Sequence, residues 1–276
     1  MKISYFKISG FDGLIRSFFM TNKNYTEEIE KRMQNAERFI AYADIAYPGY
    51  TILMSDCESI TSAFIDFVSR TDNDINQMNI NTSTLIDDII WYRKMIRSAI
   101  NCGNKHTTLL RFVDFTFVVD GLHRGGQDDF DSHAKRLESR IVRMTTRTLN
   151  NEKINDISDF YKGKIMTFTD LVNTFNLPEV TEFDDETFVR TPFGYVNEEY
   201  ANDRDVLRGN VPLAVSSMFT VKVNMTEFCH IVRERAPGTA AAPELQEMIR
   251  MLVDDHIMPA LGDDFDLKWF KDNCLQ

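Results

Sequence analysis

The chain has 276 residues, enough for one or two domains with a sizeable core. Its 31 Lys and Arg residues stand against 42 Asp and Glu residues, so the formal net charge is −11. An acidic chain is a poor candidate for non-specific nucleic-acid binding, and no apolar run approaches membrane-spanning length, so we expect no membrane partner.

Cysteine usage and the N-terminus point to a reducing compartment. Cys57, Cys102, Cys229 and Cys274 are widely separated and form no C-x-x-C pair, which disfavours a zinc site. Scattered cysteines in a chain of this length are typical of reduced thiols, and Cys229 lies in an apolar helical pattern that indicates a core position. The first ten residues alternate like a strand and lack a signal-peptide core, so we predict a cytoplasmic protein.

The first third of the chain predicts one strand followed by helices. Pro48-Gly49 ends the first group of elements, Asp56 is a candidate cap for the next helix, and Gly103 is a candidate helix stop. The predicted elements are a strand over 1–10 and helices over 13–20, from Asn24 or Thr26 to 44, across the stripe 60–68, and over 83–101, with a polar loop at 71–82.

Residues 106–147 carry the clearest local signal. Leu110–Asp120 is apolar, aromatic and β-branched, which favours a buried strand. From Gln127 to Arg147 the apolar positions recur at three- and four-residue spacing, which predicts one helix. The apolar stripe of that helix comprises Phe130, Ala134, Leu137, Ile141 and Met144.

Four arginines follow the same helical period beside the apolar stripe. Arg136, Arg140, Arg143 and Arg147 would share a narrow sector of the predicted helix. Such a stripe can be a solvated face neutralised by local acids such as Glu138. Alternatively it is a site for an anionic ligand, most simply a nucleotide phosphate, because arginine favours bidentate contact with phosphate.

The remainder mixes short strands with helices. Ser217–Val223 alternates like a strand, Asn224 or Thr226 can cap the helix that follows, and Pro243 suits the first turn of the last helix. The pattern indicates an α+β fold with helices layered on one sheet. The other predicted elements are a short strand at 164–168, a helix at 169–175, a solvated acidic loop at 182–186, a strand or hairpin arm at 188–196, and helices at 197–208, 224–235 and 243–258.

An acidic cluster begins the central helix. Asp128, Asp129, Asp131 and His133 include an i, i+4 pair that could ligate a divalent metal. The same acids stabilise a helix N-terminus through its dipole, and no partner ligand set is identifiable elsewhere. We therefore predict no metal site, with a metal-dependent nucleotide enzyme as the weaker alternative.

The order of these motifs resembles the flavin-dependent thymidylate synthases, the ThyX family. WYRKMIRSAINCG precedes His106-Thr107-Thr108, and Phe115-Thr116-Phe117 follows at the family's usual distance. A second block matches R-x-x-x-P-L at Arg208–Leu213, F-T-V at Phe219–Val221 and a helix ending at Val232-Arg233. The resemblance covers about half the chain. It implies a single ThyX-like α+β domain over 1–276, with a central, mostly antiparallel sheet, packed helices and insertions near 36–80 and 148–190.

The sequence departs from the family at its R-H-R signature. Counted without gaps from Phe115, the signature slot holds Asp131-Ser132-His133, and a shift of one residue gives Ser132-His133-Ala134. Both signature arginines are missing in either register. The gapless count keeps a later signature arginine as Arg143, with Ile141 at the signature serine, and we prefer it for that reason.

The resemblance assigns ligands to particular residues. Arg143, Arg208 and Arg233 match arginines that hold dUMP, and Arg140 and Ser139 are added as substrate-binding candidates. For Arg233, a structural salt bridge with Glu234 or Glu227 is the alternative. The cofactor-binding candidates are His106, Thr108, His133 and Asn224, although Lys222, Asn224 and Phe228 stand where the family usually has Asn, Arg and Asn.

The resemblance therefore implies an enzyme of the thymidylate synthase type. It would bind a pyrimidine deoxynucleotide and transfer a one-carbon unit to C5 with FAD, together with a folate one-carbon donor and NADPH, as a homotetramer. No protein nucleophile is required, because the cofactors carry the chemistry. The alternative is a catalytically inactive homologue that binds a nucleotide or acts as a structural or interaction protein.

Overall fold

The computed structural model describes residues 1–22, 24–46, 82–103, 106–133, 139–142 and 157–261. The chain divides into two compact units. The first comprises Met1–Lys7, Thr116–Lys222 and Glu234–Ile249, and the second comprises Ile8–Phe115, Val223–Arg233 and Arg250–Gln276. The single-domain organisation with two insertions stays a prediction.

The first unit is built mainly on two antiparallel sheets. A four-stranded sheet has the order β1 (Lys2–Ser9), β2 (Asp114–His123), β7 (Ser216–Asn224) and β3 (Ser139–Val142), with the outer ends of β1, β2 and β7 counted in the second unit. A three-stranded sheet has the order β4 (Val180–Phe183), β5 (Glu186–Thr191) and β6 (Gly194–Asn197). Its helices are α4 (Arg124–Asp131), α5 (Phe168–Phe175), α6 (Arg204–Gly209) and α8 (Pro243–Arg250). The α+β class with a central antiparallel sheet is confirmed.

The second unit is mainly helical. The buried apolar residues of its helices recur at the helical period. In α3 (Thr82–Gly103) the buried residues are Leu85, Ile89, Ile96 and Ile100, whereas Ile90 is exposed. The Arg16 guanidinium donates to Glu30 and Glu37, which ties α1 to α2 and raises the pKa of Arg16. The helices are α1 (Phe11–Thr21), α2 (Glu27–Ala46), α3 (Thr82–Gly103), α7 (Met225–Arg235), a π-helix (Met251–Ile257) and α9 (Met258–Leu261), with a 3-10 helix at Thr107–Phe112.

Periodicity located several elements correctly. The strand over 1–10, the helices over 13–20 and 83–101, and the strand over 217–223 are confirmed as β1, α1, α3 and β7. Thr26 accepts from the Ile29 amide at 3.3 Å, so Thr26 is the cap of α2. The predicted stripe 60–68 and most of the loop 71–82 lie outside the described residues.

The single helix over Gln127–Arg147 is wrong. Helix α4 begins at Arg124 and ends at Asp131, and residues 139–142 form strand β3, antiparallel to β7. Phe130 is fully buried while Ile141 is 70% exposed, so the two do not share one buried stripe. Pairing with β7 supplies β3 with backbone hydrogen bonds that no local pattern encodes, and the β-branched Ile141 and Val142 suit a strand.

The arginine stripe fails with that helix. Arg140 lies on strand β3, so the four arginines do not stack along one helix face. Arg136, Arg143 and Arg147 lie outside the described residues.

Smaller differences have local causes. The predicted strand at 110–120 begins later, at Asp114, because a 3-10 helix closed by the Leu109 amide donating to the His106 carbonyl comes first. No strand forms at 164–168, where residues 162–165 are an exposed turn and bend and Phe168 begins helix α5. The predicted helix at 197–208 is split, because Asp203 caps a separate helix through the Asp205 and Val206 amides.

Candidate functional site

In the second unit, two predicted cofactor segments that are distant in sequence come into contact. The hydroxyl of Thr226, in the first turn of α7, donates to the Thr107 carbonyl at 3.1 Å. The Met225 amide donates to the Val113 carbonyl at 2.7 Å, which anchors the same turn beside the 3-10 helix. His106 and Thr108, the two residues that flank Thr107, are exposed. The imidazole and hydroxyl of these residues can therefore meet a ligand beside the start of α7.

Asn224 serves the fold at this place. It is 6% exposed, and its side-chain carbonyl accepts from the Glu227 amide at 3.0 Å, the geometry of an N-cap. Of the two caps that the sequence allowed for this helix, Asn224 is the one used. Its cofactor role stays a prediction.

Arg233 lies on α7 and is exposed. Of the two acids named in the alternative salt bridge, Glu227 lies 3.7 Å from Arg111 and Glu234 lies 3.6 Å from His133, and that alternative stays open. An exposed arginine needs no buried counterion, so Arg233 stays a candidate for an anionic ligand.

In the first unit, the R-H-R signature slot contacts Glu234 and Arg235, the last two residues of α7, which belong to this unit. Arg235 contacts Asp129 at 3.0 Å and donates to the Ser132 hydroxyl at 3.1 Å. His133, only 4% exposed, places Nε2 3.6 Å from the Glu234 carboxylate. The slot therefore presents a hydroxyl and a buried imidazole to Arg235 and Glu234, and the carboxylate on Arg235 comes from Asp129, two residues before the slot.

The other substrate candidates are spread over several elements. Ser139 is exposed at the start of β3, Arg140 is the next residue of that strand, and Arg208 lies in α6. Arg143 lies outside the described residues.

A buried carboxylate organises a second cluster in the first unit. Glu244, in the first turn of α8, is 3% exposed and accepts from the His123 amide at 3.1 Å. It also accepts from the His123 imidazole Nδ1 and from the Ser158 hydroxyl. His123 Nε2 lies 3.3 Å from the Tyr161 hydroxyl, and the two rings meet edge to face with centroids 4.9 Å apart. We call these four residues the Glu244 cluster.

These hydrogen bonds set the charge of the cluster. Burial by itself would raise the pKa of Glu244, but the hydrogen bonds from His123 and Ser158 outweigh it and hold the pKa below its ordinary value. The carboxylate is thus ionised at neutral pH and accepts from three donors. A buried charge with this many donors keeps its surroundings in one arrangement.

Glycine makes room for the His123 ring. A Cβ added at Gly126 would lie 2.7 Å from His123 Cε1 and 3.0 Å from Nδ1. The ring therefore packs directly on the first turn of α4, where any side chain at position 126 would displace it. Gly125 and Gly126 both lie within helix α4.

A cleft of about 350 Å³ is lined partly by residues that neighbour Ser158 and Tyr161 in sequence. Its charged groups are mostly paired, with Lys2 3.5 Å from Asp120 and Lys162 2.5 Å from Asp159. Asp159 also lies 3.7 Å from the Met1 ammonium, so each cation of the cleft has an acid beside it. It is lined by Met1, Lys2, Asp120, Gly121, Ile157, Asp159, Lys162 and Ser216.

Sequence reasoning missed Arg235 and the Glu244 cluster. Arg235 was available as the last arginine of V-R-E-R, two residues beyond the Arg233 that the resemblance selected. Glu244 and His123 are 121 residues apart, and neither belongs to a motif that could link them. Cys229, placed in the core from its apolar pattern, is confirmed as buried.

Within residues that the structure describes, no three His, Cys, Asp or Glu side chains are grouped to hold a metal ion. None of the described helices combines the length and apolar character needed to cross a membrane.

Comparison with known proteins gave distant structural likenesses. No protein-family model matches the chain, and no curated protein matches it. A crystal structure of thymidylate synthase X (ThyX) from Helicobacter pylori with FAD and dUMP is similar, at 16% identity and a TM-score of 0.40, over 67% of this chain and 83% of that one. A second structure of the flavin-dependent ThyX from Helicobacter pylori, complexed with FAD and dUMP, is 18% identical with a TM-score of 0.39, over 65% of this chain and 86% of that one. At these values the likeness carries no argument about ligands or reaction.

Proposed function

We propose that this protein is a divergent ThyX-like enzyme that binds a pyrimidine deoxynucleotide and transfers a one-carbon unit to its C5 with a flavin. The proposal comes from the motifs that the sequence shares with that family in the family's order. It is supported by one contact, the hydrogen bond from Thr226 to the Thr107 carbonyl. That contact joins the His106–Thr108 segment to the helix that follows Asn224, and both were assigned to the cofactor from the resemblance.

The residues at this contact are chemically suited to a flavin nucleotide. His106 and Thr108 are exposed, and their side chains can donate to phosphate or ring acceptors. Asn224 suits the role less well, because its carbonyl oxygen caps α7 and the side chain is buried. His106 and Thr108 would therefore hold the cofactor, while Asn224 keeps the helix start in position.

The substrate would be held through its phosphate. Arg233 is exposed on α7, and an arginine there can form bidentate, charge-assisted bonds to a nucleotide monophosphate. A bound reduced flavin would supply the reducing equivalents for the one-carbon transfer. The chain's own part is to orient the pyrimidine and to exclude water, so no nucleophilic side chain is needed.

The first experiment is the visible absorption spectrum of the purified protein before and after incubation with FAD and desalting. Retained flavin absorbance is expected, and it should be lost in the double variant His106→Ala, Thr108→Ala. Arg38→Ala, an exposed arginine on α2, is the control for surface changes. A protein that stays colourless after the FAD challenge would refute the flavin-enzyme proposal.

Nucleotide binding is tested by titration calorimetry with dUMP. Arg233→Ala and Arg143→Ala should each weaken binding about tenfold or more, since a charge-assisted bond contributes roughly 1.5–3 kcal/mol. Arg38→Ala should leave the affinity unchanged. Equal affinity in all three variants would show that the proposed arginines do not hold the nucleotide.

A second function is favoured by the signature slot. Asp131, Ser132 and His133 replace both arginines of the family, Ser132 accepts from Arg235, and Glu234 faces His133. If this change abolishes the reaction, the protein is a catalytically inactive homologue that binds a nucleotide or has a structural role. This second function predicts dUMP binding, or an intact assembly without ligand binding. In either case it predicts neither flavin retention nor C5 modification in an assay with FAD, a folate donor and NADPH.

A further inference from the structure

The Glu244 cluster contains a histidine whose hydrogen bonding defines its tautomer. Nδ1 of His123 faces a carboxylate that, when ionised, can only accept hydrogen bonds. Nδ1 therefore carries the proton, and in the neutral imidazole Nε2 has the lone pair. The Tyr161 hydroxyl lies 3.3 Å from that atom.

The surroundings hold this arrangement in place. His123 is 5% exposed, packs on Gly126 in the first turn of α4, and meets the edge of the Tyr161 ring. Glu244 is held in turn by the His123 amide and the Ser158 hydroxyl. The order carboxylate, imidazole, hydroxyl is the order in which an orienting group, a base and a nucleophile are linked in covalent catalysis.

Tyr161 differs from the other members in its exposure. It is partly exposed, whereas His123, Ser158 and Glu244 are each at most 5% exposed. The phenol is therefore the member of the cluster that a reagent can reach. The neighbouring Lys162 and Asp159 lie 2.5 Å apart and form an ion pair.

We propose that Tyr161 is a nucleophilic phenol, activated by His123 and positioned by Glu244, that accepts an acyl group from an activated ester. In the step, the Tyr161 oxygen forms a bond to the ester carbonyl carbon and His123 Nε2 takes the phenol proton. The bond from that carbon to the leaving alcohol breaks, and the leaving group departs with its electron pair. Neither an oxidant nor a reductant is needed. The inference does not depend on the ThyX-like function.

The test uses the full-length chain and p-nitrophenyl acetate, with acetylated tyrosines identified over time by peptide mass mapping. Tyr200, which is 44% exposed, is the internal reference. Tyr161 should be acetylated about tenfold faster or more, because a positioned general base contributes on the order of 10²–10⁴-fold. The lower accessibility of Tyr161 works against this result, so a faster reaction cannot come from exposure.

Variants separate activation from local structure. Glu244→Gln, checked for native circular dichroism, should slow acetylation of Tyr161 toward the rate of Tyr200 and leave Tyr200 unchanged. Tyr161→Phe should remove the fast-labelled site, whereas Tyr200→Phe should not. A wild-type chain in which Tyr161 reacts no faster than Tyr200 overturns the proposal, and this comparison needs no variant to fold. A fast Tyr161 that is unaffected by folded Glu244→Gln overturns the role of the His123–Glu244 pair.

Discussion

Replacing Glu244 with alanine is expected to destabilise the first unit by about 2–6 kcal/mol. The carboxylate accepts from the His123 amide, the His123 Nδ1 and the Ser158 hydroxyl, and all three donors are buried. Ser158 can turn fully to the Gly121 carbonyl, which lies 3.0 Å away, so two donors are left without an acceptor. Each unsatisfied buried donor costs about 1–3 kcal/mol, which gives the range.

The assay is urea unfolding followed by circular dichroism, with Glu247→Ala as the matched control. Glu247 lies on the same helix but is exposed, and its removal should change the free energy of unfolding by no more than about 0.5 kcal/mol. Glu244→Gln should fall between the two, because it keeps an acceptor but loses the charge. If Glu244→Ala is as stable as Glu247→Ala, the hydrogen bonds assigned to Glu244 do not hold this unit together.

Three further outcomes follow from single contacts. The pKa of Glu244 is lowered from 4.5, so its stabilising contribution is present above that value and is lost as the pH falls through the lower folded pKa. The difference in unfolding free energy between wild type and Glu244→Gln should therefore shrink in acid. A difference that stays constant with pH would contradict this. Gly126→Ala should lower the free energy of unfolding by about 1–3 kcal/mol, because its Cβ would meet the His123 ring. Gly209→Ala is the control: no atom lies within 4 Å of its Cβ, so it should be near neutral in the same unfolding assay. Asn224→Ala should lower the free energy of unfolding by about 1 kcal/mol through loss of the N-cap, whereas Asn224→Asp should keep the cap. Equal stability of these two variants would argue against the cap.

Local sequence determined the helices and long strands of this protein well. In α3, Leu85, Ile89, Ile96 and Ile100 recur at helical spacing, and their burial requires only one apolar surface to pack against. Strands β1 and β7 were likewise evident from alternation. These elements were predictable because their signal lies within one stretch of chain.

Caps and stops were also largely local. Thr26 and Asn224 each satisfy an amide three residues ahead, and Gly103 ends its helix. Such contacts depend on neighbours in sequence, so a short window contains the information. Asp203 was missed, and the element around it was therefore predicted as one helix instead of two.

Tertiary structure decided the conformation of residues 139–142. The apolar and arginine spacing there fits a helix, yet Ser139–Val142 pairs with residues 219–222 of β7. A strand partner some 80 residues away supplies hydrogen bonds that outweigh a weak local preference. The helical arginine stripe, and the anion site inferred from it, depended on that helix.

The candidate sites depended even more on distant contacts. The sequence motifs pointed to His106, Thr108 and the start of α7, but their meeting required Thr226 to reach the Thr107 carbonyl. The Glu244 cluster joins the end of β2, the segment around Ser158 and the first turn of α8. Sequence alone determined which residues could carry chemistry, and only the tertiary structure decided which of them meet, because hydrogen bonds between distant segments leave no periodic trace along the chain.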